Sequence, residues 1–386
     1  MFAMQSFDFQ PRTRIVFGPG KIEALGQLAS EIGARRALVV SDPGVVAAGH
    51  TARGIASLEA AGIETHLFDG LAENPSTDDV AAGVKIARRY EPQLLIGLGG
   101  GSSMDCAKGI NFIYTGGGEM KDYWGVGKAL KEMLPMIAIP TTAGTGSETQ
   151  SFALISDAKT HAKMACGDKK ASCRVALLDP ELTVTQPARV TALTGIDAIS
   201  HALETFVTKK RNAASLAFSR ESWRLLASHF AQVLAEPTNI EARGSMLLGA
   251  SLAGLAIENS MLGAAHALAN PLTAHYNIPH GQAVGVMLPH VIRFNGEQFA
   301  HWYVDLLSTR GDGDALPGPS DGVEGLAQFV TSLVEKSGLS TTLTQLKVDP
   351  ASLETLAGEA AKQWTATFNP REVSASDLAA IYRAAI

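Results

Sequence analysis

The sequence predicts an α/β domain with a parallel sheet, followed by an all-α domain. Three observations lead there. Short β-branched runs alternate with helical patterns up to about residue 186. From Pro187 onward the period is almost entirely helical. With 386 residues the chain also exceeds one ordinary core, so it divides into 1–186 and 187–386, with a cleft expected between them.

Taken in order, RTRIVFG (12–18) reads as a strand and KIEALGQLASEIG (21–33) as a helix closed by glycine. ALVVSD (37–42) is a strand, followed by a helix to about Gly62, and THLFDG (65–70) is a third strand. STDDVAAGVKIARRYEP (76–92) is a helix with Ser76 or Thr77 as its cap. LLIGLGGGSSMDCAKG (94–109) reads as strand, glycine turn and helix, and MIAIPTTAGTGSE (136–148) as strand and loop. After VALLDPELTVTQP (175–187) come helical stretches such as ARVTALTGIDAISHALETFV, with a loop expected over 311–322.

Composition narrows the function. A formal charge of −6 and a pI near 5.9 argue against nucleic acid and favour a small-molecule partner. Three cysteines without CxxC spacing suit a reducing cytoplasm, and the N-terminus lacks a signal-like basic and apolar pattern. The longest apolar tract, 245–272, is broken by Glu258, Asn259 and Ser260, and its Gly/Ala content predicts tightly packed soluble helices, not a membrane span.

Two strand-end loops carry ligand-binding chemistry. Gly99, Gly100, Gly101 and Ser102 follow a buried strand and open a helix, where free N–H groups and a positive dipole end favour phosphate. Ser102 and Asp105 also fit an S-x-x-D capping box, and the run is not GxGxxG. TTAGTGSE (141–148) can wrap a polar ligand with its hydroxyls. Asp42, ending its strand, can accept bonds from an adenosine ribose and repel a 2′-phosphate, or simply cap the helix at Pro43. Together these predict a dinucleotide, NAD over NADP.

The helical half carries a second constellation. Asp197 and His201 share one helical face. His266 lies in an apolar helix, where an unpaired imidazole is costly to bury, and His280 lies at a bend between Pro279 and Gly281. Three nitrogens and one carboxylate oxygen make an N/O site suited to Zn(II) or Fe(II).

GGGSSMDCAK (99–108), PTTAGTGSE (140–148), GIDAISHALE (195–204), GAAHALANPL (263–272) and IPHGQAVGVMLPHV (278–291) occur in one order along the chain. In these motifs the sequence resembles the iron-containing, or group III, alcohol dehydrogenases, with the fold shared by dehydroquinate synthase and glycerol dehydrogenase. The resemblance implies that Asp197, His201, His266 and His280 bind a divalent metal. It also implies that Gly99 to Ser102 hold a pyrophosphate, that Thr141, Thr142 and Thr145 line the nucleotide site, and that Lys163 approaches the cofactor ribose. Asp42 sits where NAD-preferring members have an acid, and Asp105 joins the cofactor-binding candidates. Many members carry a second histidine one turn after the third ligand; here that position is Asn270, which cannot carry a proton. His275 and Asn270 are the candidate catalytic residues beside the metal, with His275 or bound water left to carry the proton. Phe152, Leu262 and Asn270 are candidate substrate walls. The expected activity is reversible hydride transfer between nicotinamide C4 and an alcohol or carbonyl carbon, with the substrate oxygen on the metal. The alternative is an NAD- and metal-dependent lyase of the dehydroquinate synthase type. The N-terminal strand is a candidate edge for a homodimer or higher homo-oligomer.

Overall fold

A computed structural model describes residues 6–160, 162–309 and 317–386. It falls into two compact units, Gln10–Gln186 and Pro187–Ile386, the latter with the N-terminal stretch through Phe9.

In the first unit the strands are β1 (Arg14–Phe17), β2 (Arg36–Val40), β3 (Glu64–Phe68), β4 (Leu94–Gly99), β5 (Gly125–Val126), β6 (Met136–Pro140), β7 (Phe152–Ser156), β8 (Lys163–Gly167) and β9 (Val175–Leu178). The helices are α1 (Leu25–Ile32), α2 (Pro43–Ala47), α3 (His50–Ala60), α4 (Thr77–Tyr90) and α5 (Gly101–Gly116). Six strands form one sheet in the order β1-β9-β6-β4-β2-β3, every pair parallel. β4, β6 and β9 are buried at every residue, because a parallel sheet is covered on both faces. Alternation along the strands divides the core. Leu38 and Leu95 pack with Val84 and Ile110 of α4 and α5, while Val39 and Ile96 pack with Leu25 and Leu58 of α1 and α3.

Two features depart from the sequence reading. The helix expected up to Gly62 is two helices, α2 and α3, interrupted at Gly49. A second sheet, β5-β8-β7, contains an antiparallel β7–β8 pair that strand–helix alternation did not anticipate. Its turn is set locally by Asp157, whose Oδ1 accepts the N–H groups of Lys159 and Thr160.

The second unit is helical: α6 (Ala188–Val207), α7 (Ala213–Ala235), α8 (Ile240–Ser260), α9 (Ala264–Tyr276), α10 (His280–Leu307), α11 (Gly322–Lys336), α12 (Leu353–Ala360) and α13 (Ala375–Ala384). α6, α7 and α8 pack together, and α10 lies against α6, α9 and α11. By length and composition α8 could cross a membrane, but 67% of its most apolar window is buried against its neighbours, as in a core helix. The loop expected over 311–322 lies in part outside the described residues; Pro319–Asp321 form a short 3-10 turn into α11.

The N-terminus of α10 approaches α6 very closely. A Cβ at Gly281 would stand 2.1 Å from the carbonyl oxygen of Leu193, so only glycine permits this spacing. His280 is thereby set beside the helix that carries Asp197 and His201.

Candidate metal centre and phosphate loops

Asp197 and His201 occupy consecutive turns of α6, His266 the first turn of α9, and His280 opens α10. The Nε2 atoms of His201, His266 and His280 lie 3.4, 3.5 and 3.7 Å from one atom, Asp197 Oδ1. The ligand atoms of Asp197, His201 and His266 all fall within 4.8 Å of one another. Zinc or iron bonds of about 2.1 Å in a tetrahedral arrangement place donor atoms roughly 3.4 Å apart. The spacing fits.

Chemistry agrees with geometry. Asp197 and His266 are buried, yet among the described residues Asp197 Oδ1 and His266 Nε2 have no hydrogen-bond partner, an arrangement that is costly unless a cation meets both. Burial opposes charge on Asp197, but His201, His266 and His280 around it hold its carboxyl well below the usual range. Burial likewise opposes a proton on His266, yet Glu204 and Asp197 raise its pKa to about 9. The pocket is built to stabilise positive charge. His280, with its side chain 34% exposed, is the member of the set that meets solvent.

Sequence reasoning assigned no role to Glu204, although it lies in the same motif. Its Oε2 is 2.5 Å from His266 Nδ1. The available signal was spacing: Asp197, His201 and Glu204 recur at four and three residues along one helical face.

Of the two candidates, Asn270 lies one turn beyond His266 on the same face of α9, whereas His275 does not join this cluster. His275 stands about two and a half turns beyond His266 on α9, on the opposite face. There its Nε2 pairs with Glu359 at 2.8 Å, largely in solvent. Asn270 is half-buried and donates to Gln363 Oε1 at 3.1 Å. Of the candidate walls, Leu262 lies half-buried in the link between α8 and α9, while Phe152 begins β7 with its ring against Gly167.

In the other unit, Gly99 ends β4, and α5 begins at Gly101 with Gly100 as an N-cap that contributes no side-chain bond. The first turn of a long helix thus opens without a side-chain acceptor. The 141–148 loop folds onto it, with Thr141 N–H donating to Gly99 O at 2.9 Å. A Cβ at Gly101 would lie 2.7 Å from Thr145 Cγ2, so the glycine lets the threonine loop close on the helix end. Thr142 sits beside Gly100.

Asp42 performs its capping role. Oδ1 accepts the N–H groups of Gly44 and Val45, while Ser103 Oγ donates to Oδ2 at 3.1 Å. The carboxylate is therefore fixed between the ends of β2 and β4.

One expectation needs correction. Ser102 and Asp105 form no capping box. Ser102 Oγ accepts Asn74 N–H, and the Asp105 oxygens are taken by Ser147 Oγ at 2.6 Å and Leu154 N–H at 3.2 Å. Asp105 is buried beneath the threonine loop, with its pKa raised by burial despite the nearby Lys108, and it supports the loop through Ser147. Lys163 begins β8 of the three-stranded sheet with an exposed side chain, and its charge acts on Asp105 beneath the threonine loop. A residue the sequence reading passed over, Lys108, is fully buried and bonds the same loop.

Comparison with known proteins agrees with both units. Residues 11–180 match the iron-containing alcohol dehydrogenase family, and residues 191–386 match the C-terminal domain of that family. The chain is 33% identical to the 1,3-propanediol dehydrogenase of Klebsiella pneumoniae over 98% of each chain. It is 32% identical to the NAD-dependent methanol dehydrogenase of Bacillus methanolicus over 99% of this chain and 100% of that protein. The crystal structure of a 1,3-propanediol oxidoreductase superposes with a TM-score of 0.94 at 32% identity, covering 99% of this chain and 100% of the other. With three imidazoles gathered on one buried carboxylate and both halves matched in order, the chain belongs to the iron-containing alcohol dehydrogenase family.

Proposed function

We propose that this member is a metal-dependent, NAD(H)-linked alcohol dehydrogenase and aldehyde reductase for small substrates. The observation that carries the reading is the set of three Nε2 atoms within 3.7 Å of the buried, unbonded Asp197 Oδ1. Asp197, His201, His266 and His280 would hold the metal, Fe(II) or equally Zn(II), since the N/O donor set suits either. When bound, the metal supplies Lewis acidity toward an alcohol or carbonyl oxygen, and the nicotinamide supplies or accepts the hydride.

The remaining work falls to the protein. The bare N-terminus of α5 and Gly99 to Ser102 bind the pyrophosphate, with Thr141, Thr142 and Thr145 beside it. Asp42 binds ribose hydroxyls and repels a 2′-phosphate, which supports NAD over NADP. Lys163, whose charge reaches Asp105 beneath the threonine loop, stays a candidate for the cofactor ribose. Asn270 can orient a substrate but carries no proton, and Glu359 holds His275 on the outer face. Proton exchange is therefore assigned to water at the solvent-open side of His280.

Three buried free cysteines support a reducing compartment, the cytoplasm. The six-stranded sheet ends on β1, where Phe17 is 41% exposed; a second copy pairing along this edge would extend the sheet, which supports a homodimer.

The test is anaerobic NADH oxidation over a panel of small aldehydes and ketones, with Fe(II) and Zn(II) supplied separately. Stoichiometric loss of NADH absorbance is expected with at least one metal. No turnover by metal-loaded protein refutes the assignment, and substrate conversion at constant bulk NADH would point to the lyase chemistry instead.

A further inference from the structure

Glu204 lies one turn beyond His201 on α6, and it is buried. Its two oxygens have separate partners. Oε1 accepts the N–H of Ala265 at 2.7 Å, and Oε2 meets His266 Nδ1 at 2.5 Å. Both partners belong to the first turn of α9, whose N-cap, Gly263, offers no side chain. The neighbouring N–H, that of Ala264, donates to Asn369 Oδ1 at 3.2 Å, and Asn369 is itself held by Asn295 at 2.7 Å. A Cβ at Gly263 would stand 3.0 Å from Glu204 Oε1 and 3.1 Å from Asn369 Oδ1, so glycine leaves room for both oxygens.

We propose that Glu204 is the positioning residue of the metal centre. A backbone N–H can only donate, so Oε1 must accept from Ala265. The second carboxylate oxygen then accepts the proton of His266 Nδ1, so in the neutral ring that a metal would bind the lone pair is on Nε2, 3.5 Å from Asp197 Oδ1. One side chain thus sets both the tautomer of a ligand and the helix turn that carries it. This inference rests on the metal-binding reading given above.

Glutamine at 204 separates tautomer control from mere support. It matches glutamate in shape but has one acceptor where the site needs two. With its carbonyl toward Ala265, its amide must donate to Nδ1, and the His266 proton moves to Nε2, where a metal would bind. The experiment is a chelator-competition titration of metal-free wild type, Glu204→Gln and Glu204→Ala with Zn(II), alongside thermal melts of the metal-free proteins and visible spectra of the Co(II) forms. Glu204→Gln is expected to fold and to bind Zn(II) about 10- to 100-fold more weakly, with an altered Co(II) spectrum. A folded Glu204→Gln that matches wild type in Zn(II) affinity and Co(II) spectrum overturns the proposal, whatever its melting temperature. If neither glutamate variant folds, ¹⁵N-histidine spectra of zinc-loaded wild type decide. His266, identified by its absence from His266→Gln, must show a protonated Nδ1 and a ligated Nε2, and the reverse overturns the proposal. Wild type that binds no metal at all removes the metal reading itself, a distinct result.

Discussion

Lys108 offers the most direct test of how the cofactor loops are supported. It is fully buried, and its Nζ donates to Ser147 O at 2.6 Å, and to Ser147 Oγ, Gln150 O and Phe152 O at 2.9 Å each. Asp105 lies 4.0 Å away and grips the same Ser147 from its other side. Lys108→Met keeps most of the volume and removes every donor. Three carbonyls then lose this donor, and the buried Asp105 carboxylate loses the nearer of its cations, with Lys163 left acting on it. Breaking such a buried pair costs about 3–5 kcal/mol. At about 2–4 °C per kcal/mol for a unit of this size, the melting temperature should fall by roughly 6–20 °C. The loop bearing Thr142 and Thr145 should loosen at the same time, and NAD+ affinity should fall at least about fivefold, roughly 1 kcal/mol. Calorimetric melting and titration calorimetry with NAD+ read the two effects. A variant that melts within about 1 °C of wild type and binds NAD+ unchanged would show that these bonds do not support the loop.

Other perturbations follow from the same geometry. Gly281→Ala places a Cβ against the Leu193 carbonyl, a backbone atom that no rotamer change can relieve. It should destabilise by about 1–3 kcal/mol or more and weaken metal binding as His280 shifts, read by melting and metal titration. Asp42→Ala removes the cap of α2, about 0.5–2 kcal/mol, and the charge proposed to repel a 2′-phosphate. The ratio of kcat/KM for NADP+ to that for NAD+ should rise at least about tenfold, roughly 1.4 kcal/mol; an unchanged ratio removes Asp42 from cofactor selection. His290 has its pKa lowered by burial, and secondarily by Arg293, to about 4. The folded protein therefore binds this proton less readily than the unfolded chain, and stability is lost as pH falls below about 6.5 toward 4. Because the ring is partly exposed, His290→Gln should recover only about 1 kcal/mol of the loss between pH 7 and 5. Parallel melting curves for the two proteins at both pH values would contradict this.

The parts of this protein that could be read from sequence are those that neighbours along the chain decide. β4 and β6 are visible as apolar runs ending in glycine- or threonine-rich loops, because a strand buried on both faces must be apolar throughout. The common face of Asp197 and His201 follows from 3.6 residues per turn alone. Ser76 announces α4 because its capping box is completed within three residues, by Asp79. Ser102 and Asp105 have the same spacing, yet tertiary structure overrides it: Ser147 and Leu154, more than forty residues away, claim the Asp105 oxygens. The β7–β8 pair escaped notice because two short strands flanking a turn look like an interruption of the alternation until the hairpin packs.

By itself, then, the sequence determined an α/β half with phosphate-type loops, a helical half, and which side chains could serve as ligands. Only the tertiary structure brought His266 and His280 onto Asp197 Oδ1, gave Glu204 both donors of the α9 turn, and buried Lys108 under the threonine loop. Periodicity is set by bonds within a turn or a strand pair. Convergence of side chains far apart in sequence depends instead on how closely helices approach, and here a single glycine at 281 decides how near α10 comes to α6.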